Sequence, residues 1–254
     1  MTTPNARFKS RLLAREHLLG AFIKTPHPIT IEIMGTIGFD FLVLDGEHGP
    51  FGRGEIDACM IAGRATGCPL VVRVPDDTPS TILNVLDAGA AGVVVPHVGS
   101  AEQAERLARA MHYGPNGRGF AGTSRAADYA RRTLTEHKAL AAQEVVLMCQ
   151  IEDSAGVEAH REIADTPGVD ALFIGRADLA VDAGVDDFFA PEVSDITQTV
   201  LGAQGCTTGL FCPPTEDLTR WRDAGGSFFV IGSDHSLMAA GAAALRSRVD
   251  ALSQ

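Results

Sequence analysis

The chain alternates short apolar runs with longer segments whose apolar residues recur every three or four positions. "GAFIKT" begins at residue 20, "FDFLVLD" at 39, "PLVVRV" at 69 and "AGVVVPHV" at 91. The rhythm continues with "EVVLMCQIE" at 144, "VDALFIG" at 169, "TTGLFC" at 207 and "SFFVIG" at 227. Continuous apolar runs of this length read as strands covered on both faces, which is how parallel strands lie beneath helices. Segments such as "AEQAERLARAMH" and "TEDLTRWRDAGG" carry helical spacing and are bounded by Gly or Pro. The pattern predicts eight strands alternating with eight helices.

Eight βα units in 254 residues fit an α/β (β/α)8 TIM barrel better than an open doubly wound sheet, which has about five or six strands. "FKSRLLAREH" before the first run predicts an extra N-terminal helix across the bottom of the barrel. No Ser/Gly-rich linker interrupts the chain, so residues 1–254 are expected to form a single domain. The stretch 113–143, "YGPNGRGFAGTSRAADYARRTLTEHKALAAQ", exceeds an ordinary βα connection and is expected to hold a lid or an interface excursion.

Composition narrows the partners. Lys and Arg total 21 against 32 Asp and Glu, a formal charge of −11, which argues against nucleic acid and anionic membranes. Hydrophobic residues make up 45% and aromatics only 6%, so Ala, Val, Leu and Ile must fill the core. No run approaches the roughly 20 apolar residues of a membrane span, and "MTTPNARFKS" lacks the apolar centre of a signal peptide. A cytoplasmic protein is expected. The five cysteines include no C-x-x-C pair and suggest neither a zinc site nor a disulfide framework; most are expected to be small buried hydrophobes.

Chemistry in such a barrel sits at the C-terminal ends of the strands, and few polar residues lie there. The second run ends in Asp45, Glu47 and His48, the third contains Arg73, the fifth ends in Gln150, Glu152 and Asp153, and the sixth leads to Asp178. Glu152 and Asp178 follow adjacent strands, where their carboxylates repel unless a cation lies between them. Two carboxylates completed by water suit Mg²⁺, with Mn²⁺ or Co²⁺ able to replace it. The competing structural reading is that each carboxylate caps a helix N-terminus.

Arg73 inside an apolar run requires an anion. It forms an ion pair with Asp45 or Glu152, or it donates to an oxygen that gains charge during reaction. His48, flanked by Gly46 and Gly49, is either a structural histidine or a proton-transfer group aimed by a tight turn. Gly175 precedes a helix start, where free N–H groups favour a substrate carboxylate.

The motifs "FDFLVLDGEHGPF", "VVRVP", "VLDAGAAGVVVPHV", "YGPNGRG…SRAADY", "CQIEDSAGV" and "VDALFIGRADLA" together resemble the metal-dependent class II pyruvate aldolases of the HpcH/HpaI family, from about residue 20 to 240. The resemblance implies a carbon–carbon lyase assembled as a homo-hexamer, a dimer of trimers. Its reaction would be the reversible addition of pyruvate, or a close 2-oxo acid such as hydroxypyruvate, to an aldehyde, giving 4-hydroxy-2-oxo acids. It implies Glu152 and Asp178 as metal ligands, and Gln150 with the Ala177 and Asp178 backbone as the pyruvate-binding set. His48 becomes the base, Arg73 the stabiliser of the enolate, and Asp87 the carboxylate that raises a neighbouring subunit's histidine basicity. Asp45 and Glu47 would order waters on the metal. Many family members have Pro in place of Arg176 and an apolar residue in place of His97, so the aldehyde preference does not carry over.

Three other readings compete. A Schiff-base aldolase needs a lysine projecting from a strand, and of Lys9, Lys24 and Lys138 only Lys24, at the end of the first run, qualifies. A phosphate-sugar isomerase or synthase needs a phosphate cup near the seventh and eighth strands, where only "IGSD" offers one. A noncatalytic metabolite-binding barrel leaves the charged residues at the mouth unexplained.

Overall fold

The computed structural model describes residues 2–252. Its strands are β1 (Leu18–Ile23), β2 (Phe41–Asp45), β3 (Leu70–Arg73), β4 (Gly92–Val95), β5 (Val146–Ile151), β6 (Ala171–Ile174), β7 (Thr207–Cys212) and β8 (Phe228–Ser233). They pair in chain order into a closed, all-parallel barrel, with Leu18 of β1 beside Phe228 of β8 at the closure. Each strand coincides with one of the eight apolar runs; β1 starts two residues ahead of its run, at Leu18, and β8 extends one residue past its own, to Ser233.

Eleven helices surround them among the described residues: α1 (Pro4–Leu13), α2 (Pro28–Ile37), α3 (Arg53–Thr66), α4 (Pro79–Asp87), α5 (Ala101–Met111), α6 (Leu134–Glu144), α7 (Ser154–Ala164), α8 (Arg176–Asp182), α9 (Pro191–Leu201), α10 (Thr219–Asp223) and α11 (Asp234–Ala251). Two of these, α6 and α8, exceed the eight barrel helices and one N-terminal helix expected. α1 is the predicted bottom helix. Thr3 caps it by accepting from the Ala6 N–H at 3.2 Å, and Lys9 ties it to the barrel by donating to Val145 O at 2.7 Å.

Successive strand residues point to opposite faces, and the two faces form two cores. Phe41 and Val43 of β2, Val71, Val94, Met148, Phe173 and Val230 fill the barrel, which Phe8 and Leu12 of α1 close from below. Leu42, Leu44, Val72, Leu147 and Leu172 face the helix layer. The same alternation puts Asp45, Arg73 and Gln150 in the inward row, one step above Val43, Val71 and Met148. The polar residues at the mouth are therefore the top layer of the filled barrel.

The long excursion does not form a lid. It lies between α5 and α6 rather than after a strand. α5 follows the C-terminal end of β4 and runs back toward the bottom, and α6 packs on α1. The segment 112–133 is thus held at the base, opposite the mouth.

All five cysteines are buried, where most were expected to be, and none is bonded to another. Burial pushes the Cys59 thiol up to about 11 and those of Cys68, Cys206 and Cys212 to about 12. Among the described residues no helix is long and apolar enough to cross a membrane.

Candidate active site

Asp45 and Arg73 are partners in the β2–β3 register, so the inward row brings them together at the mouth. Arg73 Nε and Nη2 donate to Asp45 Oδ1 at 3.0 and 2.8 Å, and its Nη1 lies 3.1 Å from Glu47 Oε2. Its guanidinium also sits 4.7 Å from the centre of the Phe22 ring. The ion pair expected for Arg73 is made with Asp45 and Glu47, not with Glu152. Lys24 Nζ lies 2.8 Å from Asp45 Oδ2. Burial alone would raise the Asp45 carboxyl, but Arg73, Lys24 and the His48 N–H outweigh it and hold the group below the usual carboxylate range. Asp45, expected to order waters on a metal, thus has both oxygens committed to cations.

The turn after β2 has the tightness its glycines suggested. A Cβ on Gly46 would meet Arg73 O at 2.7 Å, and one on Gly49 would meet Asp45 O at 2.4 Å. The His48 N–H donates to Asp45 Oδ1 at 3.1 Å, while its exposed ring places Nε2 3.9 Å from Glu47 Oε2.

Across the mouth, Gln150 and Glu152 rise from β5. Gln150 Nε2 donates to Glu152 Oε2, and the His97 N–H donates to Oε1 at 2.8 Å. His97 has φ +52°, a left-handed conformation uncommon outside glycine. Its ring Nδ1 lies 3.3 Å from Glu152 Oε1, and Nε2 lies 4.0 Å from Glu47 Oε1. His97, noticed in the sequence only as a departure, therefore stands between the β2 and β5 sides. Burial is the largest influence on Glu152 and raises its carboxyl; the His97 N–H and ring pull it back, and the nearby Asp178 charge raises it again, leaving it above its ordinary value.

Gly175, between β6 and α8, passes so close that a Cβ would sit 2.8 Å from Glu152 Oε2 and 3.0 Å from Gln150 Nε2. Next to this approach, Gln150 Oε1 is buried without a protein partner. An orphaned amide oxygen and two carboxylates that repel each other fit a hard divalent cation. Among the described residues no three His, Cys, Asp or Glu side chains form a metal cage, so water or substrate would complete the coordination of Glu152 and Asp178. Ala177 and Asp178 lie in the first turn of α8, Ala177 exposed and Asp178 half-buried.

Other expected residues lie elsewhere. Asp87 ends α4 at the base, beside Gly89, whose carbonyl accepts from Asn5 of α1 at 3.4 Å, so one chain does not bring it to His48. Asp153 takes the capping role, accepting from the Gly156 N–H at 2.8 Å. Arg176 is turned into a cage: Nη1 donates to Glu216 Oε1 at 2.8 Å, Nη2 donates to Phe211 O at 2.9 Å, and the Trp221 ring centre lies 5.0 Å away. It is buried and engaged. At the "IGSD" turn Asp234 accepts from the Lys24 and Thr25 N–H groups at 2.8 and 3.0 Å, and the Ser233 N–H donates to Ser236 Oγ at 2.8 Å, so these groups are engaged within the protein.

The HpcH/HpaI aldolase/citrate lyase family model matches residues 18–240. A hydroxypyruvate/pyruvate aldolase of Roseovarius nubinhibens is 36% identical over 245 residues, covering 94% of this chain and 95% of that protein. A 5-keto-4-deoxy-D-glucarate aldolase of Escherichia coli is 33% identical over 236 residues, 91% of each chain. Among solved structures, an HpcH/HpaI aldolase/citrate lyase family protein from Burkholderia cenocepacia superposes with a TM-score of 0.90 at 31% identity, over 96% of this chain and 99% of that one.

Proposed function

Because the chain belongs to the HpcH/HpaI aldolase/citrate lyase family, we propose that this lyase adds pyruvate or hydroxypyruvate to an aldehyde, and cleaves the resulting 4-hydroxy-2-oxo acid by the reverse step. The observation that carries the reading is the placement of Arg73 at the mouth, held by Asp45 and Glu47. The name of the Roseovarius relative supports the donor class.

Glu152 and Asp178 would hold a divalent cation, Mg²⁺, Mn²⁺ or Co²⁺, which when bound polarises the ketone of the 2-oxo acid and makes its C3 protons more acidic. The substrate carboxylate lies against Gln150, Gly175 and the Ala177 and Asp178 backbone. A ring nitrogen of His48 takes one C3 proton. The negative charge that moves to the ketone oxygen is met by the Arg73 N–H donors, which are already oriented and need no reorganisation. C3 then attacks the aldehyde carbon, and the new alkoxide takes up a proton to give the 4-hydroxyl.

A homo-hexamer built as a dimer of trimers accompanies this reading. Asp87, at the base of the barrel, can serve a His48 only on another chain, and the surface favours association. Ile29, Ile33 and Ile37 form an exposed stripe on α2, and α11 buries only Asp234 while exposing Met238 and Leu245. The test is product analysis with pyruvate and with hydroxypyruvate against a panel of aldehydes. Formation of 4-hydroxy-2-oxo acids, lost in Arg73→Ala, is the expected result. Absence of carbon–carbon bond formation or cleavage with either donor would remove the reading.

A further inference from the structure

The α5–α6 connection, residues 112–133, accounts for most of the long stretch 113–143, and the proposed chemistry leaves it unused. In the structure three of its contacts meet at one corner, the turn from α4 to β4 at Asp87 and Ala88. Arg118 Nη2 donates to Asp87 Oδ1. The Ala126 N–H donates to Asp87 O at 3.3 Å, and Arg125 Nη1 donates to Ala88 O at 3.2 Å. The side chain and both successive carbonyls of the corner are thus held from a single segment.

Arg118 is itself fixed from behind. Its side chain is 1% exposed, and its guanidinium lies 4.8 Å from the centre of the Tyr113 ring. The Tyr113 hydroxyl in turn shares a 2.9 Å hydrogen bond with His137 Nε2. A cation buried this deeply is sustained by its carboxylate partner, yet Asp87 is not sealed in with it. The Asp87 side chain keeps 20% exposure, and among the described residues Arg118 engages only Oδ1.

A carboxylate with one oxygen pinned and an open side, at the end of the barrel remote from its own His48, is prepared for a group that arrives from outside. We propose that Arg118 is a positioning residue that holds Asp87 in the orientation required by the His48 imidazole of a second copy of this chain. The proposal rests on the aldolase reading above. An accepting carboxylate fixes the tautomer and direction of a histidine ring only when the carboxylate is itself fixed, and Arg118 supplies that constraint.

The experiment measures exchange of pyruvate C3 protons in deuterated water by the assembled full-length protein. Arg118→Met lowers the kcat for exchange about tenfold with pyruvate KM unchanged, and Arg118→Lys recovers part of the loss. In an Asp87→Asn background Arg118→Met lowers the rate no further, because both act through one contact; losses that multiply overturn the proposal. Mixed assemblies give an independent reading. Arg118→Met chains reassembled with His48→Ala chains regain exchange, whereas Arg118→Met with Asp87→Asn do not, because both defects then fall in the same half of the shared site. With chain mixing verified by mass, recovery in both mixtures or in neither overturns the proposal. If Arg118→Met fails to assemble, an assembled Arg118→Lys protein with wild-type kcat overturns it as well, and a reduced kcat at unchanged KM supports it. A wild-type protein that exchanges nothing refutes the aldolase reading, which is a separate result.

Discussion

Asp45 accepts both the Nε and the Nη2 donors of Arg73 through one oxygen, at 3.0 and 2.8 Å, while its other oxygen lies 2.8 Å from the Lys24 ammonium. A fully buried carboxylate therefore holds the proposed enolate donor in place. Removing one partner of a buried pair costs about 3–5 kcal/mol, so Asp45→Asn is expected to lower the melting temperature at neutral pH. The effect depends on pH in a definite direction. The Asp45 carboxyl sits below its usual range in the native state, so its stabilisation is present above the unfolded value of about 3.9 and is lost as pH falls through the native pKa. Thermal melts should show a wide gap between wild type and Asp45→Asn at pH 6 that narrows on acidification to pH 3. A gap that stays constant over that range would contradict the assignment.

The same contact separates the two aldolase chemistries. A Schiff base forms from an unprotonated amine, whereas Lys24 is paired with the buried Asp45 carboxylate. Treating the protein with borohydride in the presence of pyruvate is expected to leave activity intact and the mass of the chain unchanged. A reduced pyruvate adduct on Lys24, abolished in Lys24→Ala, would instead establish the Schiff-base route.

The cation reading is tested by binding as well as by turnover. Glu152 and Asp178 are expected to hold Mn²⁺ with an affinity measurable by electron paramagnetic resonance. Glu152→Gln and Asp178→Asn should each weaken it by at least about tenfold, and exhaustive chelation should abolish activity until metal is restored. Mn²⁺ affinity unchanged in both variants would move the cation elsewhere.

Much of this was legible in the sequence for a physical reason. Parallel strands buried on both faces have no polar positions to spare, so all eight appeared as apolar runs, and Arg73 stood out because it broke one. The helices were less visible. α6 buries only His137 and Ala141 and so carries no apolar stripe, and α8 has only seven residues. Contacts between distant residues were not legible. Nothing in "IGRADLA" announces that Arg176 is caged by Glu216, forty positions away. The left-handed backbone of His97, which aims its N–H at Glu152, has no local glycine signal. For Arg118 the clue was its place in "NGRG" within a segment too long for a simple connection, but its partner Asp87 became apparent only in three dimensions.

The last prediction separates proton removal from carbon–carbon bond formation. If Arg73 stabilises an enolate, metal-replete wild-type protein should exchange the C3 protons of pyruvate in deuterated water with no aldehyde present, a loss of signal that NMR follows directly. Arg73→Ala should slow exchange by about 10² to 10³, the cost of losing one preorganised donor to a developing oxyanion. Arg73→Lys should be almost as slow. A lysine has no planar fork and cannot place two donors on Asp45 Oδ1 while a third reaches Glu47, as Arg73 does. His48→Ala should slow exchange by removing the base while leaving Arg73 and its partners intact. A phosphate isomerase or a binding module predicts no exchange in any of these proteins. Exchange by the wild type that survives Arg73→Ala at full rate would leave an aldolase whose enolate is stabilised by some other group, and would return the Asp45–Arg73 pair to a purely structural role.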